Sequence, residues 1–254
     1  MSAAFVLALL LAVLIGISLG TLGSGGSIIT LPVLVYVAGV PAHTAVGMSL
    51  VIVGTTAAIG SGLQSRSAGF DRRAAAIFAV TGAVGAYVGA KLTHLVAGGT
   101  LMAIFAVLML LAGWRMLAPG AAAAGSRECS IPRCAGIGLP LGALTGFLGI
   151  GGGFLIVPAL VLAAGLDMKR AVPTSLAIIA FNAAGGIAGQ LRYAPIDWPL
   201  TAAFLGFALT GMVGGSTITR RVSGDSLRRW FAWAVVALGT AILGFQALTR
   251  AGVP

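Results

Sequence analysis

Residues 16–101 recur without a gap 126 positions further along the chain. Gly23-Ser24-Gly25-Gly26 corresponds to Gly149-Ile150-Gly151-Gly152, and Pro32 to Pro158. Ala45-Val46-x-x-Ser49-Leu50 corresponds to Ala171-Val172-x-x-Ser175-Leu176, and Gln64-x-Arg66 to Gln190-x-Arg192. Asp71 corresponds to Asp197, and Gly85-x-x-x-Gly89 to Gly211-x-x-x-Gly215. A unit repeated once must bury its apolar faces against its own copy. The medium it does this in follows from composition: 59% of the 254 residues are hydrophobic, 8% are charged, and the mean hydropathy is +1.08. A soluble domain carries about a quarter of its residues charged, so this surface lies in lipid. A duplicated apolar half with glycine-broken segments and a repeated polar pair is the usual layout of a secondary transporter.

Five apolar segments can be read in each copy, roughly 4–22, 27–40, 44–63, 73–94 and 98–117, then roughly 136–148, 153–166, 171–190, 199–219 and 228–248. Most approach the ~20 residues needed to cross the hydrocarbon core. The segment after each glycine cluster has an apolar core of only about 12–14 residues, which suits a half-helix or one arm of a membrane hairpin. The first 22 residues lack the basic n-region and cleavage pattern of a signal peptide, so they read as a membrane segment. Between the copies, residues 118–134 form a polar linker, which makes 1–117 and 135–254 the two repeats.

The 15 Lys and Arg residues set the expected topology. If each copy makes an odd number of crossings, 12 of them share one side: Arg66, Arg72, Arg73, Arg115, Arg127, Arg133, Lys169, Arg170, Arg220, Arg221, Arg228 and Arg229. Lys91, Arg192 and Arg250 are the 3 on the other. An even count divides them 8 against 7 and erases the bias. The positive-inside rule favours the odd count. The expected fold is therefore an all-α polytopic membrane protein of two inverted-topology repeats, with a cytoplasmic linker and both termini extracytoplasmic. The same positions explain the net charge of +10, since no basic stripe interleaved with aromatics points to nucleic acid. Cys129 and Cys134 are too few for a structural zinc site, are not a CxxC pair, and read as incidental thiols.

Three constellations could bind a ligand. The glycine clusters, with Gly25 and Gly26 in one copy and Gly151, Gly152 and Gly153 in the other, break apolar stretches and leave N–H groups uncovered at the start of a helix. They could cradle an anion, or they could simply let a hairpin pack closely. Gln64-x-Arg66 and Gln190-x-Arg192 each close the third segment of a copy, and the guanidinium fork matches the flat face of a three-oxygen anion. A helix-end Arg can equally snorkel to headgroups, with the following Asp as its partner. Arg192 is the exception, because it falls on the side nearly empty of basic charge. Asn182 lies eight residues before Gln190, roughly on the same helix face, and a buried amide there serves either as interhelical glue or as pore lining.

The five acidic residues, Asp71, Glu128, Asp167, Asp197 and Asp225, all fall at loops or segment ends. No mid-span carboxylate is present to carry a cation, which favours an anionic substrate. His43 and His94 lie near segment ends, and a proton-relay role is not favoured for either. Gly16-x-x-x-Gly20 and Gly142-x-x-x-Gly146 read as close helix packing. No enzyme signature and no cofactor motif is found.

The twin glycine turns leading to Pro32 and Pro158, the Ala-Val-x-x-Ser-Leu segments, Leu148-Gly149-Ile150-Gly151-Gly152-Gly153, Thr174-Ser175 and the Gln-x-Arg pairs together resemble the TauE/SafE sulfite exporter family. The likeness runs from about residue 5 to 248. It implies a bacterial cytoplasmic-membrane permease for sulfur-containing oxyanions such as sulfite, thiosulfate or organosulfonates, with the lipid bilayer and a small anion as partners. A homodimer is compatible with a permease of this size. The first glycine motif is less glycine-rich than the second, so the second copy is expected to contribute more to any site. The rival readings are an anion channel and a membrane assembly or scaffold protein.

Overall fold

The computed structural model describes residues 3–23, 25–64, 70–118, 131–149, 153–162, 164–190, 195–219 and 222–250. Among these the regular structure is helical: α1 (Ala3–Leu22), α2 (Gly25–Pro32, continued by a π-helical turn Val33–Val37), α3 (Ala42–Gln64), α4 (Arg72–Leu92), α5 (Gly98–Leu117), α6 (Ile131–Leu148), α7 (Gly153–Leu162), α8 (Met168–Gln190), α9 (Trp198–Thr219) and α10 (Gly224–Arg250). Six of them, α3, α4, α5, α8, α9 and α10, are long and apolar enough to cross a membrane. The chain is an all-α polytopic membrane protein.

The two short segments are bounded by glycines in the left-handed region. Gly23 (φ 73°) and Gly39 (φ 70°) flank α2 and its π-helical turn; Gly149 (φ 68°) and Gly165 (φ 69°) flank α7. A Cβ is disfavoured at such angles, which is why these turns need glycine. The same backbone bonds close both segments. Val40 N–H donates to Leu34 O at 2.9 Å and Leu166 N–H to Leu160 O at 2.9 Å, each returning past the positive-φ glycine to cover a carbonyl at a helix end. The proline of each segment, Pro32 or Pro158, sits within the helical stretch, and in the first the π-helical turn follows it directly.

Three of the five acidic residues have a local structural task. Asp71 caps α4 by accepting from Ala74 N–H at 3.0 Å, and Asp197 caps α9 by accepting from Leu200 N–H at 3.1 Å. Asp167 does the same for α8 through Arg170 N–H at 2.9 Å. A carboxylate in this position satisfies an orphan N–H and faces the positive end of the helix dipole.

Two readings of the linker change. The sixth helix begins at Ile131, inside the 118–134 stretch, because Pro132 in the first turn lacks only an N–H that has no helical partner there. Cys134 is buried and disulfide-bonded, so it is not an incidental thiol, while Cys129 lies outside the described residues.

Glycine decides which helices touch. The Gly16-x-x-x-Gly20 face of α1 lies on the Gly211-x-x-x-Gly215 face of α9: a Cβ at Gly16 would meet Ala208 O, and one at Gly20 would lie 2.5 Å from Met212 O. The Gly142-x-x-x-Gly146 face of α6 lies on the Gly85-x-x-x-Gly89 face of α4, where Gly142 meets Gly82 O, Gly146 meets Ala86 O and Gly89 meets Ala143 O. The contacts advance together along both partners, so both pairs run parallel. In lipid the hydrophobic effect no longer drives helices together, and this backbone-to-backbone approach supplies the packing. The centre is an antiparallel crossing of α3 and α8, with Gly54 on Ala183, Leu50 on Gly186 and Leu176 on Gly60. Phe78, Phe105, Phe204 and Phe231, all fully buried, fill the space around it.

Candidate functional site

Each glycine turn is pressed against the beginning of a long helix from the other copy. A Cβ on Gly23 would lie 2.7 Å from Val172 O and 2.8 Å from Ser175 Oγ on α8. A Cβ on Gly149 would collide with Val46 on α3, and the Ser49 hydroxyl donates to Gly149 O. These are the Ala-Val-x-x-Ser-Leu segments, whose duplication is thereby explained: each is the seat of a broken-helix turn. Gly26, in the first turn of α2, packs against Ile15 O and Leu19 of α1. At this glycine, close packing of a hairpin accounts for the residue. Gly25 begins α2 and Gly153 begins α7, while Gly151 and Gly152 lie outside the described residues.

The amides are buried but not equivalent. Gln64, at the end of α3, donates through Nε2 to Gly20 O of α1 at 3.4 Å. Gln190, at the end of α8, is 3% exposed and its Oε1 has no hydrogen-bond partner. Its Cγ lies against Gly47 of α3, 4.0 Å from where a Cβ would stand. Asn182 is 1% exposed with its Oδ1 likewise unpartnered, and it packs on Gly82 of α4. Asn182 and Gln190 are separated by roughly 12 Å of helix rise and press on different helices, Asn182 on α4 with Gly185 and Gly189, Gln190 on α3 with Ala183 and Gly186, so the shared helix face expected from their spacing does not hold. Thr56, which stands in α3 where Asn182 stands in α8, donates to Ile52 O at 2.7 Å and is satisfied within its own helix.

A buried carbonyl without a donor costs about 1–3 kcal/mol, and both of these open oxygens are on α8. Such a position can receive a donor from a ligand without first breaking a protein bond. Arg66 and Arg192, the charged members of the Gln-x-Arg pairs, lie outside the described residues. The aspartates that follow them have other duties. Besides capping α4, Asp71 pairs with Arg170 of α8 at 3.3 Å, and its N–H donates to Thr174 Oγ1 at 3.1 Å.

Sequence reasoning undervalues His43. Its Nδ1 is buried without a partner, and it lies one turn before Gly47 on the face of α3 that meets Gln190. A lone histidine near a helix end gives no signal in sequence; only the meeting of α3 and α8 does. At the same end of the molecule a cleft of about 440 Å³ opens between the end of α2 and the start of α5. Tyr36, Met102 and Phe245 line it, with Gln246, whose Nε2 donates to Gly99 O at 3.1 Å. The volume is within the range of small-molecule sites.

Broken helices that interlock in a polytopic bundle, with open polar atoms held in its interior, are the layout of a secondary membrane transporter. The family model described as "Sulfite exporter TauE/SafE" matches residues 8–242, and the chain belongs to that family. It is 34% identical over 241 residues to a "Probable membrane transporter protein" of Xylella fastidiosa strain 9a5c, covering 91% of each chain. It is also 27% identical over 219 residues to "Probable membrane transporter protein YdhB" of Bacillus subtilis strain 168, covering 84% of this chain and 89% of that one. No solved structure matches it. The chain is a multi-pass transporter of the bacterial inner membrane.

Proposed function

We propose that this permease moves a small sulfur-containing oxyanion, of the sulfite, thiosulfate or organosulfonate class, by alternating access between two inverted halves, 1–117 and 135–254. The single observation that carries an interior site is the pair of buried, open amides of Asn182 and Gln190 on the one helix that also crosses its counterpart at the centre, while the anionic class rests on the family and on spans without carboxylates. The parallel contacts of α1 with α9 and of α4 with α6 support inversion. If the copies had the same orientation, the first helix of one would run antiparallel to the fourth helix of the other. The expected cytoplasmic linker and extracytoplasmic termini follow from the same arrangement and the Lys/Arg bias.

In this reading Arg192 grips the anion's oxygens with its planar fork, and Gln190 and Asn182 take up hydrogen-bonding hydrogens or bridging water. Gly151, Gly152 and Gly153 present N–H groups at the start of α7, and Gln64 with Arg66 and Gly25 with Gly26 form the weaker copy. A substrate that carries its own acid proton suits open acceptor oxygens, because the spans hold no carboxylate to take one.

Flux of labelled sulfite, thiosulfate, sulfate, sulfoacetate and acetate into vesicles containing the purified protein tests this. Arg192→Lys keeps the charge but loses the fork, and Asn182→Leu removes one open oxygen. Each is expected to lower sulfite flux at least tenfold. Wild-type flux in both variants removes the site. Flux that neither saturates nor is stimulated by substrate on the opposite side favours a channel, and no flux at all favours a scaffold.

A further inference from the structure

The fifth helix of each copy begins alike. Gly98-x-Thr100-Leu101 of α5 is matched by Gly224-x-Ser226-Leu227 of α10, and Phe105-Ala106 by Phe231-Ala232. Leu101, Leu227, Phe105, Phe231, Ala106 and Ala232 are all fully buried. The neighbours match as well: a Cβ at Gly98 would lie 2.9 Å from Ala42 at the start of α3, and one at Gly224 would lie 3.7 Å from Met168 at the start of α8. One residue within this frame changes chemistry. Met102, 2% exposed, lines the cleft at one end of the molecule, and at the other end its place is taken by Arg228.

Arg228 does not behave as a helix-end Arg reaching for headgroups. Two of its guanidinium nitrogens, Nε and Nη1, are buried and have no hydrogen-bond partner. The next residue, Arg229, is exposed and is the one placed to snorkel. Asp225, the acidic residue of the same first turn, is also exposed. Arg228 as a whole is half-buried, and holding guanidinium nitrogens away from water without a partner is costly, a cost that charge-assisted bonds to an oxyanion relieve. Lys169 and Arg170, in the first turn of the neighbouring α8, add positive potential that draws anions to this end.

We propose that Arg228 is a second oxyanion-binding station, at the end of the molecule where α8 and α10 begin. Along α8 it lies roughly 30 Å from Gln190. The station holds a sulfite-like anion as it arrives or departs, or the phosphate of a bound lipid, through the Arg228 guanidinium. It rests on the reading that the chain carries an oxyanion, and it differs from the central site in residues and in depth.

The test is equilibrium binding of sulfite to the purified protein in lipid-depleted detergent, together with a count of co-purified phospholipid. Arg228→Met installs the side chain that the equivalent position of α5 accommodates, so the variant is expected to fold; Arg228→Lys retains charge without the fork, and Arg229→Gln is the control. The expected result is loss of one sulfite site, or at least a tenfold weaker one, in Arg228→Met. A smaller loss is expected in Arg228→Lys and none in Arg229→Gln. Unchanged sulfite binding with loss of co-purified phospholipid in Arg228→Met keeps the station and assigns it to lipid phosphate. Wild-type sulfite binding and wild-type phospholipid in that variant overturn the proposal. A protein that binds sulfite through Arg228 yet moves none in vesicles keeps this station and removes the transport reading instead.

Discussion

The two ends of the central crossing differ more than the chain's internal similarity suggests. At the end of α3, Gln64 reaches Gly20 O, and Thr56 one level deeper is bonded within its own helix. At the end of α8, Gln190 and Asn182 each leave an oxygen open in a buried position. Yet the glycines around both ends are the same, with Gly16 and Gly20 on α9 and Gly142 and Gly146 on α4. Duplication has kept the residues that let backbones touch in both halves, while the polar atoms of equivalent positions differ in whether they find a protein partner. Packing needs both copies, because each copy is the other's partner; one ligand needs only one good set of groups. Function is therefore expected on α8 and structural necessity in both halves.

The largest effect that could break this comparison is in the glycines. Gly89→Leu and Gly215→Leu place a side chain against Ala143 O and Ile17 O respectively, where only backbone could yield. Each is expected to cost upwards of about 3 kcal/mol and to remove most of the folded, detergent-stable protein. Size-exclusion yield and thermal melting measure this. A large loss in one variant and none in the other would mean that the copies are not structurally interdependent.

A smaller, more selective effect separates the two glutamines. Gln190→Leu removes an amide whose carbonyl has no protein donor, so stability should hold or rise slightly while sulfite flux falls tenfold or more. Gln64→Leu removes a long bond to Gly20 O and should lower stability by about 0.5–1.5 kcal/mol with flux reduced less than threefold. Flux and melting temperature on the same preparations check both. The reverse ranking would move the site to the end of α3.

Much of the fold is legible in the sequence because membrane helices announce themselves by length and apolarity. The left-handed turns are legible too, since a glycine cluster that interrupts an apolar run marks a break in the helix. One boundary is not. Pro132 and Arg133 have linker composition but lie in the first turn of α6, and composition does not separate a polar linker from a helix start that tolerates proline. Nor can sequence say which glycine face meets which, because Gly16 and Gly211 are brought together only by the tertiary fold. The candidate site is legible as residue types: Asn182 and Gln190 stand out as amides in an apolar helix. That their oxygens lack donors while Gln64 and Thr56 are satisfied depends on neighbours from other helices. The aspartates read in sequence as partners for the Gln-x-Arg arginines, because a helix N-cap and a salt-bridge partner look alike when an Arg lies nearby.

The smallest expected difference lies in those aspartates, and it sharpens the comparison because Asp71 and Asp197 are equivalent by the repeat but not by contact. Both cap a helix, and loss of a cap costs about 1 kcal/mol. Asp71 also holds Arg170 at 3.3 Å and donates its backbone N–H to Thr174. In the other copy Thr44 and Met48 stand where Arg170 and Thr174 would be needed. The ion pair is half open to the surface, with the Arg170 side chain 48% exposed and Asp71 24% exposed, so it adds at most about 1 kcal/mol. The Thr174 contact uses the backbone and survives substitution. Asp71→Ala should therefore cost about 1–2 kcal/mol and Asp197→Ala about 1, a gap of a few degrees in melting temperature. Raising the salt concentration should narrow that gap, because it screens the ion pair and leaves the cap's hydrogen bond in place. A gap that stays constant from low to high salt would assign the difference to packing around α8 rather than to charge.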